Sequence, residues 1–340
     1  MSALRIPPLP SVRDLVKLYR IRAIKQLSQN FLMDNRLCDK IVKVAGKLNN
    51  AQVLEVGPGP GGLTRCIIKR QPKRLVVVEK DERFMPTLEM LADTFSTIGG
   101  KMDIKLDDIR SINMANVFSE DEKRQWDDIC PKMYIIGNLP FNISTPLIIK
   151  WLKDISERNG AWSMGRARLT LTFQKEVAER LVAEPCEDQR CRLSMMAQAW
   201  TKPHLEFVIP GRAFVPKPDV DVGVVTFTPL VHPLTAHNFQ LFEKVVRHIF
   251  SFRQKYCIKS IGTLFPPDNR EMLAALMFKL SDLDPTTRPF QLSIKDMDKL
   301  CTAYIYLTEK HPEIKLYDYR SSHCVLPSSL AKNIQIEAVA

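Results

Sequence analysis

Short apolar, β-branched runs alternate over the first 200 residues with segments whose apolar positions recur every three or four residues. The runs at 53–56, 75–80, 102–107, 133–137 and 169–173 predict strands. The segments at 63–69, 83–92, 146–153 and 174–184 predict the helices between them. That alternation predicts βαβ units, and so an α/β fold around a mostly parallel sheet. Two further runs, 205–209 and 223–228, are joined only by a proline-rich stretch. No crossover helix fits there, which predicts an antiparallel hairpin at the sheet edge. After Pro229 the strands stop, and 239–252, 255–264, 269–280 and 294–307 predict a small C-terminal helical domain. The resulting plan is a basic segment over 1–27, an α/β domain over 28–230, a helical domain over 231–325 and a weakly patterned tail over 326–340.

Charge narrows the partners. The chain has 340 residues, with 49 basic against 38 acidic, a net charge of +11. Such an excess favours polyanions through long-range attraction and counterion release. No apolar run approaches the ~20 residues that span a bilayer, so no membrane role is expected. The eight cysteines form no CxxC pair and no zinc-finger spacing, so no metal is expected. The first 26 residues carry Arg5, Arg13, Lys17, Arg20, Arg22 and Lys25 against the single acid Asp14. This basic, amphipathic start suits a mitochondrial presequence and equally an RNA-contacting first helix, and both readings stand. Nothing in the pattern points to an obligate dimer.

Candidate chemistry sits at the predicted strand ends. The first strand runs into Glu55-Val56-Gly57-Pro58-Gly59-Pro60-Gly61-Gly62. Glycines permit a tight turn and close approach of a ligand to the backbone. Glu79, at the end of the second strand, is placed to hydrogen-bond the hydroxyls of a ribose. Gly57, Gly59 and Gly62 also satisfy the dinucleotide pattern G-x-G-x-x-G, so these features alone specify only an adenosine-containing cofactor. Glu55, whose carboxylate can serve the loop or a cationic methionine portion, and the crowded prolines favour S-adenosylmethionine over a pyrophosphate. Asp107 and Asp108 end the third strand, as acceptors for an adenine amine or as a simple helix cap. The fourth strand ends in Gly137-Asn138-Leu139-Pro140-Phe141. The Asn138 amide oxygen and the Leu139 carbonyl can together hold the two N–H groups of an exocyclic amine. Phe141 can stack on an extruded base. A nicotinamide-dependent oxidoreductase has no use for that set.

Asn138-Leu139-Pro140-Phe141 resembles the N-P-P-Y/F-type motif of amino methyltransferases. With leucine in second place it is similar to the rRNA adenine dimethyltransferase family, which includes the erythromycin-resistance methyltransferases. Gln29-Asn30-Phe31-Leu32 resembles that family's entry motif. Phe214-Val215-Pro216-Lys217-Pro218-Asp219-Val220 resembles its F-x-P-x-P-x-V element, and Phe250-Ser251-Phe252-Arg253-Gln254-Lys255 the basic helix opening its C-terminal domain. The likeness runs from about residue 25 to 310 and is strongest to the mitochondrial branch.

The resemblance implies a Rossmann-like S-adenosylmethionine methyltransferase sheet with an appended helical RNA-binding domain. It implies dimethylation of two adjacent adenines in a hairpin loop near the 3′ end of small-subunit rRNA, free or in a pre-ribosomal subunit, in the mitochondrial matrix. Cofactor contacts are expected from Gln29, Asn30, Leu32, Gly57, Gly59, Glu79, Lys80, Asp108, Ile109 and Asn138. Asn138, Leu139 and Phe141 are expected to be catalytic, and Phe31, Phe141 and Phe214 to meet the base. Arg247, Arg253, Lys255 and Lys259 are expected on the RNA backbone. Fold does not fix function, so a non-enzymatic factor working with the mitochondrial transcription machinery stays open beside the enzyme.

Overall fold

A computed structural model describes residues 30–317, together with Ile6, Pro8 and Asp14. The rest of the basic segment over 1–27, Gln29 and the tail over 326–340 lie outside the described residues. In chain order the elements are β1 (Phe31–Leu32), α1 (Asn35–Ala45), β2 (Gln52–Val56), α2 (Gly62–Ile68), β3 (Arg74–Glu79), α3 (Met85–Ser96), β4 (Lys101–Leu106), β5 (Met133–Gly137), α4 (Phe141–Ser156), β6 (Arg168–Gln174), α5 (Lys175–Val182), α6 (Arg192–Trp200), β7 (Thr201–Ile209), β8 (Phe214–Val215) and β9 (Val222–Pro229). Five helices follow: α7 (Phe239–Ile249), α8 (Cys257–Ile261), α9 (Arg270–Ser281), α10 (Ile294–Lys310) and α11 (Pro312–Leu316).

Seven strands form one sheet in the order β4-β3-β2-β5-β6-β9-β7. β4 through β6 pair in parallel. β9 runs antiparallel to both β6 and β7, which makes the antiparallel pair at the sheet edge. Central β2 is buried at all five positions, as expected when helices cover both faces of a parallel strand. Edge strand β4 instead carries Lys101, Asp103 and Lys105, charges that keep an open edge from pairing with another chain. The other edge, β7, holds Pro203, a residue a central strand would not accept.

The chain divides into two compact units, 1–182 with 200–232, and 183–199 with 233–340. A single boundary near residue 230 misses that the second unit also draws on a stretch from mid-chain. Arg190 shows the reason. Its buried guanidinium donates to the carbonyls of Leu292 (2.9 Å) and Ala183 (2.7 Å) and to Gln198 Oε1 (3.0 Å), tying 183–199 to the helical part. Within that unit Phe242, Val246, Leu273, Met277, Leu300 and Tyr304 are buried on α7, α9 and α10. Helix α10 opens with Ser293 and Asp296 capping one another. The helices predicted over 239–252 and 255–264 are shorter, since 250–252 and 262–264 are 3₁₀ turns.

Candidate active site

The order of the sheet locates the site. From β2 the chain proceeds outward to β3 and β4, then returns to β5 on the other side of β2. Ligands of open α/β sheets bind at such a reversal, outside the carboxyl ends of the strands, where successive loops part in opposite directions. A cavity of about 570 Å³ opens there. Its walls include the glycine loop after β2, Glu79 and Lys80 after β3, Asp108 and Ile109 after β4, and Asn138 and Leu139 after β5.

The loop over 57–62 is shaped from below. Gly57 and Gly59 adopt φ of 66° and 52°, a region disfavoured for residues with a Cβ. A Cβ on Gly59 would also stand 3.0 Å from the Phe31 ring. Glu79, 3% exposed, holds this geometry: one carboxylate oxygen accepts from Gly59 N (2.9 Å), the other from Lys80 N (2.8 Å) and Asp81 N (2.9 Å). Burial pushes its carboxyl up, and the three backbone donors oppose that. Glu79 is therefore a support of the loop as well as a wall of the cavity, a role its spacing does not announce. Arg65 adds a second brace, donating to the carbonyls of Pro60 (2.7 Å) and Gly61 (2.8 Å).

Glu55 is the anomaly. It is 1% exposed and lines the cavity, yet neither carboxylate oxygen has a hydrogen-bond partner among the described residues. Burial pushes its pKa up to about 8; the nearby Thr64 hydroxyl offsets part of this without completing a hydrogen bond. A buried, unpaired acid facing a cavity suits a ligand with a positive charge or donors. Across the cavity mouth Asp108 is already engaged. Arg110 first, then Lys80 at 3.1 Å, hold its carboxyl well below the usual carboxylate range. Asp107 is exposed and accepts from Asp108 N and Ser111 Oγ.

The acceptor loop is fixed from both ends of one amide. Asn138 Nδ2 donates to the Asn30 carbonyl at 2.9 Å, while its Oδ1 accepts from the Thr172 hydroxyl at 2.8 Å. One lone pair of Oδ1 remains for a ligand. Asn30 is brought there because β1 pairs antiparallel with β8, Phe31 opposite Val215 and Leu32 opposite Phe214. The entry motif and the F-x-P-x-P-x-V element thus form one two-stranded ribbon, a pairing that sequence spacing does not reveal.

The three phenylalanines expected at the base separate. Phe31 lines the cavity, 7% exposed, edge-on to Phe84 with ring centroids 5.4 Å apart. Phe214 is 2% exposed and belongs to the hydrophobic core. It anchors the ribbon and is not among the cavity-lining residues. Phe141, partly exposed at the start of α4, packs on the core beside the acceptor loop and is not among the cavity-lining residues. In the second unit Arg253, Lys255 and Lys259 are exposed, Arg253 and Lys255 on the turn before α8 rather than on a helix. Arg247 on α7 is partly buried. Among the described residues no group of three His, Cys, Asp or Glu is arranged to hold a metal, and no helix is long and apolar enough to cross a membrane.

Sheet order, switch-point cavity and acceptor loop define a Rossmann-like methyltransferase. The same fold is found in a dimethyladenosine transferase from Plasmodium falciparum, TM-score 0.62 at 20% identity, covering 82% of this chain and 98% of that one. It is found again in the 23S rRNA methyltransferase ErmE, TM-score 0.56 at 18% identity, covering 81% and 99%. Residues 21–287 match the family model described as ribosomal RNA adenine dimethylase. Dimethyladenosine transferase 1, mitochondrial, from Homo sapiens and its namesake from Drosophila pseudoobscura pseudoobscura are each 52% identical over 320 residues. Those alignments cover 94% of this chain and 92% and 93% of the relatives. The chain belongs to the ribosomal RNA adenine dimethylase family, and so to the rRNA adenine N6,N6-dimethyltransferases.

Proposed function

We propose that this chain uses S-adenosylmethionine to dimethylate N6 of two adjacent adenines in a hairpin loop near the 3′ end of mitochondrial small-subunit (12S-type) rRNA. The work is done in the matrix, on free rRNA or a pre-ribosomal subunit, in support of ribosome biogenesis and mitochondrial translation. The mitochondrial names of relatives covered almost end to end support the compartment. The observation that carries the reading is Asn138, set beside the glycine loop with one free acceptor position.

The residues present fit the cofactor: Glu55 is a buried acid without a partner among the described residues, and it lines the cavity together with Gly57 and Gly59. Leu32, Asn30, Glu79, Lys80, Asp108 and Ile109 would complete its cradle, with Glu79 offering a remaining lone pair to a ribose hydroxyl. Bound there, the cofactor supplies a methyl group on a sulfonium, already electrophilic enough to need no acid catalyst. Adenine N6 is a poor nucleophile because its lone pair is delocalised into the ring. Asn138 Oδ1 and the Leu139 carbonyl would each accept one N–H, favouring a pyramidal nitrogen aimed at the methyl. Phe141 would stack on the extruded base, and the proton released after transfer goes to water. Arg247, Arg253, Lys255 and Lys259 would bind RNA phosphates.

The test is single-turnover methylation of a hairpin RNA with adjacent loop adenines, read as dimethyladenosine by mass spectrometry. The parent chain should form it. Asn138→Ala should slow it on the order of a hundredfold or more, by analogy with loss of one oxyanion donor. Affinities for RNA and cofactor should hardly change, since the interaction matters mainly in the transition state. Parent-rate methylation by Asn138→Ala would overturn this account of the site.

A further inference from the structure

We infer that Thr172 is a positioning residue for methyl transfer, holding the Asn138 side chain with its oxygen towards the amine. The inference rests on Asn138 being the acceptor of that amine. The two ends of a carboxamide have nearly the same shape and opposite hydrogen-bonding character. Asn138 can serve an amine only with Oδ1 forward; turned over, it would point an NH₂ group at another N–H donor. A bare asparagine on a loop has little to choose between these orientations.

The structure makes the choice from one side and holds it from the other. The Asn30 carbonyl can only accept, so it takes Nδ2 at 2.9 Å. The Thr172 hydroxyl stands on the other side, 2.8 Å from Oδ1, and donates to it. Its place follows from strand register. β5 and β6 are parallel, with Gly137 opposite Leu171. One step further, where the β5 chain leaves the sheet, Asn138 falls beside Thr172, the next residue of β6.

Thr172 is fully buried in a strand flanked by β5 and β9, a setting where valine has the same shape and no polar group to satisfy. The hydroxyl there therefore calls for a reason, and its bond to Asn138 is one. The same bond occupies one of the two lone pairs of Oδ1 and so leaves a single direction in which the oxygen can receive a substrate N–H. Thr172 touches neither substrate nor cofactor in this scheme; it acts through Asn138 alone.

The experiment is a double-mutant cycle in single-turnover methylation of the hairpin RNA, using the full chain. Thr172→Val keeps the volume and removes the hydroxyl. The rate should fall about tenfold, the scale of one hydrogen bond. RNA and cofactor affinities should stay at parent values. Thr172→Ser, which keeps the donor, should restore most of the rate. In the Asn138→Ala chain, Thr172→Val should cost nothing further, because nothing is left to orient. A merely structural threonine would give the same loss in both backgrounds, with serine failing to rescue, and either result would overturn the inference. Thr172→Ala carries the same cycle if valine is not accommodated. Parent-rate methylation by Asn138→Ala would sink the reading of the site itself. A slow Asn138→Ala beside an unimpaired Thr172→Val would sink only the role of Thr172.

Discussion

β2 carries a buried polar residue near each end, and the two are treated in opposite ways. At the amino end Gln52 has partners at both ends of its amide: Nε2 donates to the Ser119 carbonyl (3.2 Å) and to Asp121 (2.9 Å), and Oε1 accepts from Ser119 N (2.8 Å). At the carboxyl end Glu55 is just as buried, yet both its oxygens are without a partner among the described residues. A buried group is normally satisfied because an orphan costs about 1–3 kcal/mol, more if charged. Around β2 the amino end is satisfied, whereas the carboxyl end keeps, beside the cavity, a buried acid with no partner among the described residues. At the carboxyl ends of the flanking strands Glu79 and Asn138 also line the cavity and keep acceptor capacity in reserve.

That contrast can be broken from either end. The largest effect should come from Glu79→Ala, which removes a wall of the cavity and the acceptor for three backbone N–H groups. Cofactor affinity should fall on the order of a hundredfold, from hydrogen bonds to a charged group. Thermal stability should fall with it, as Gly59, Lys80 and Asp81 lose their shared acceptor. Parent affinity in a calorimetric titration would remove Glu79 from the site. Gln52→Ala should do the reverse. Denaturant unfolding should show a loss of about 1–3 kcal/mol, while the methylation rate stays at the parent value; a slowed reaction in a fully stable variant would erase the division. The smallest effect belongs to the second unit. Replacing Arg253 and Lys255 with glutamine should flatten the log–log salt dependence of RNA binding by about 0.7–0.9 for each phosphate no longer neutralised. An unchanged slope would place the RNA on another surface.

Much of this was legible in the chain. Alternation of apolar runs with helical periods marked the parallel strands, because buried strands and amphipathic helices differ in period. Glycines and the Asn138 loop stood at strand ends, so once the sheet was parallel they had to meet at one edge. What escaped notice depends on contacts between distant segments. Helix α6 was missed because 194–197 and 199–200 are all buried, leaving no polar face to mark a period. The ribbon of β1 and β8, and with it the burial of Phe214, needs a pairing across more than 180 residues that no local pattern encodes. Pro146 made α4 look shorter than Phe141–Ser156, because it lies inside the helix and has no N–H for the carbonyl four residues before it. Thr172 reads as one more β-branched strand residue until the register of β5 against β6 places it beside Asn138. Glu55 did give a local signal, an acid set between the apolar Leu54 and Val56.

Glu55 also offers the most direct measurement. With its pKa pushed up to about 8, the free chain carries a proton there at neutral pH. Because the folded value lies above the ordinary carboxylate range, the native state binds more protons than the unfolded state between that range and about pH 8. Stability of the free chain from this group is whole below the ordinary carboxylate pKa and is lost as pH rises through about 8. A cationic ligand beside Glu55 favours the charged carboxylate and should expel that proton on binding. S-adenosylmethionine titrated calorimetrically at pH 7 in buffers of different ionisation enthalpy should therefore show a net release of protons. In Glu55→Gln the dependence on buffer should vanish. A parent chain that binds the cofactor with the same heat in every buffer would contradict the claim that the open end of the sheet is completed by this ligand.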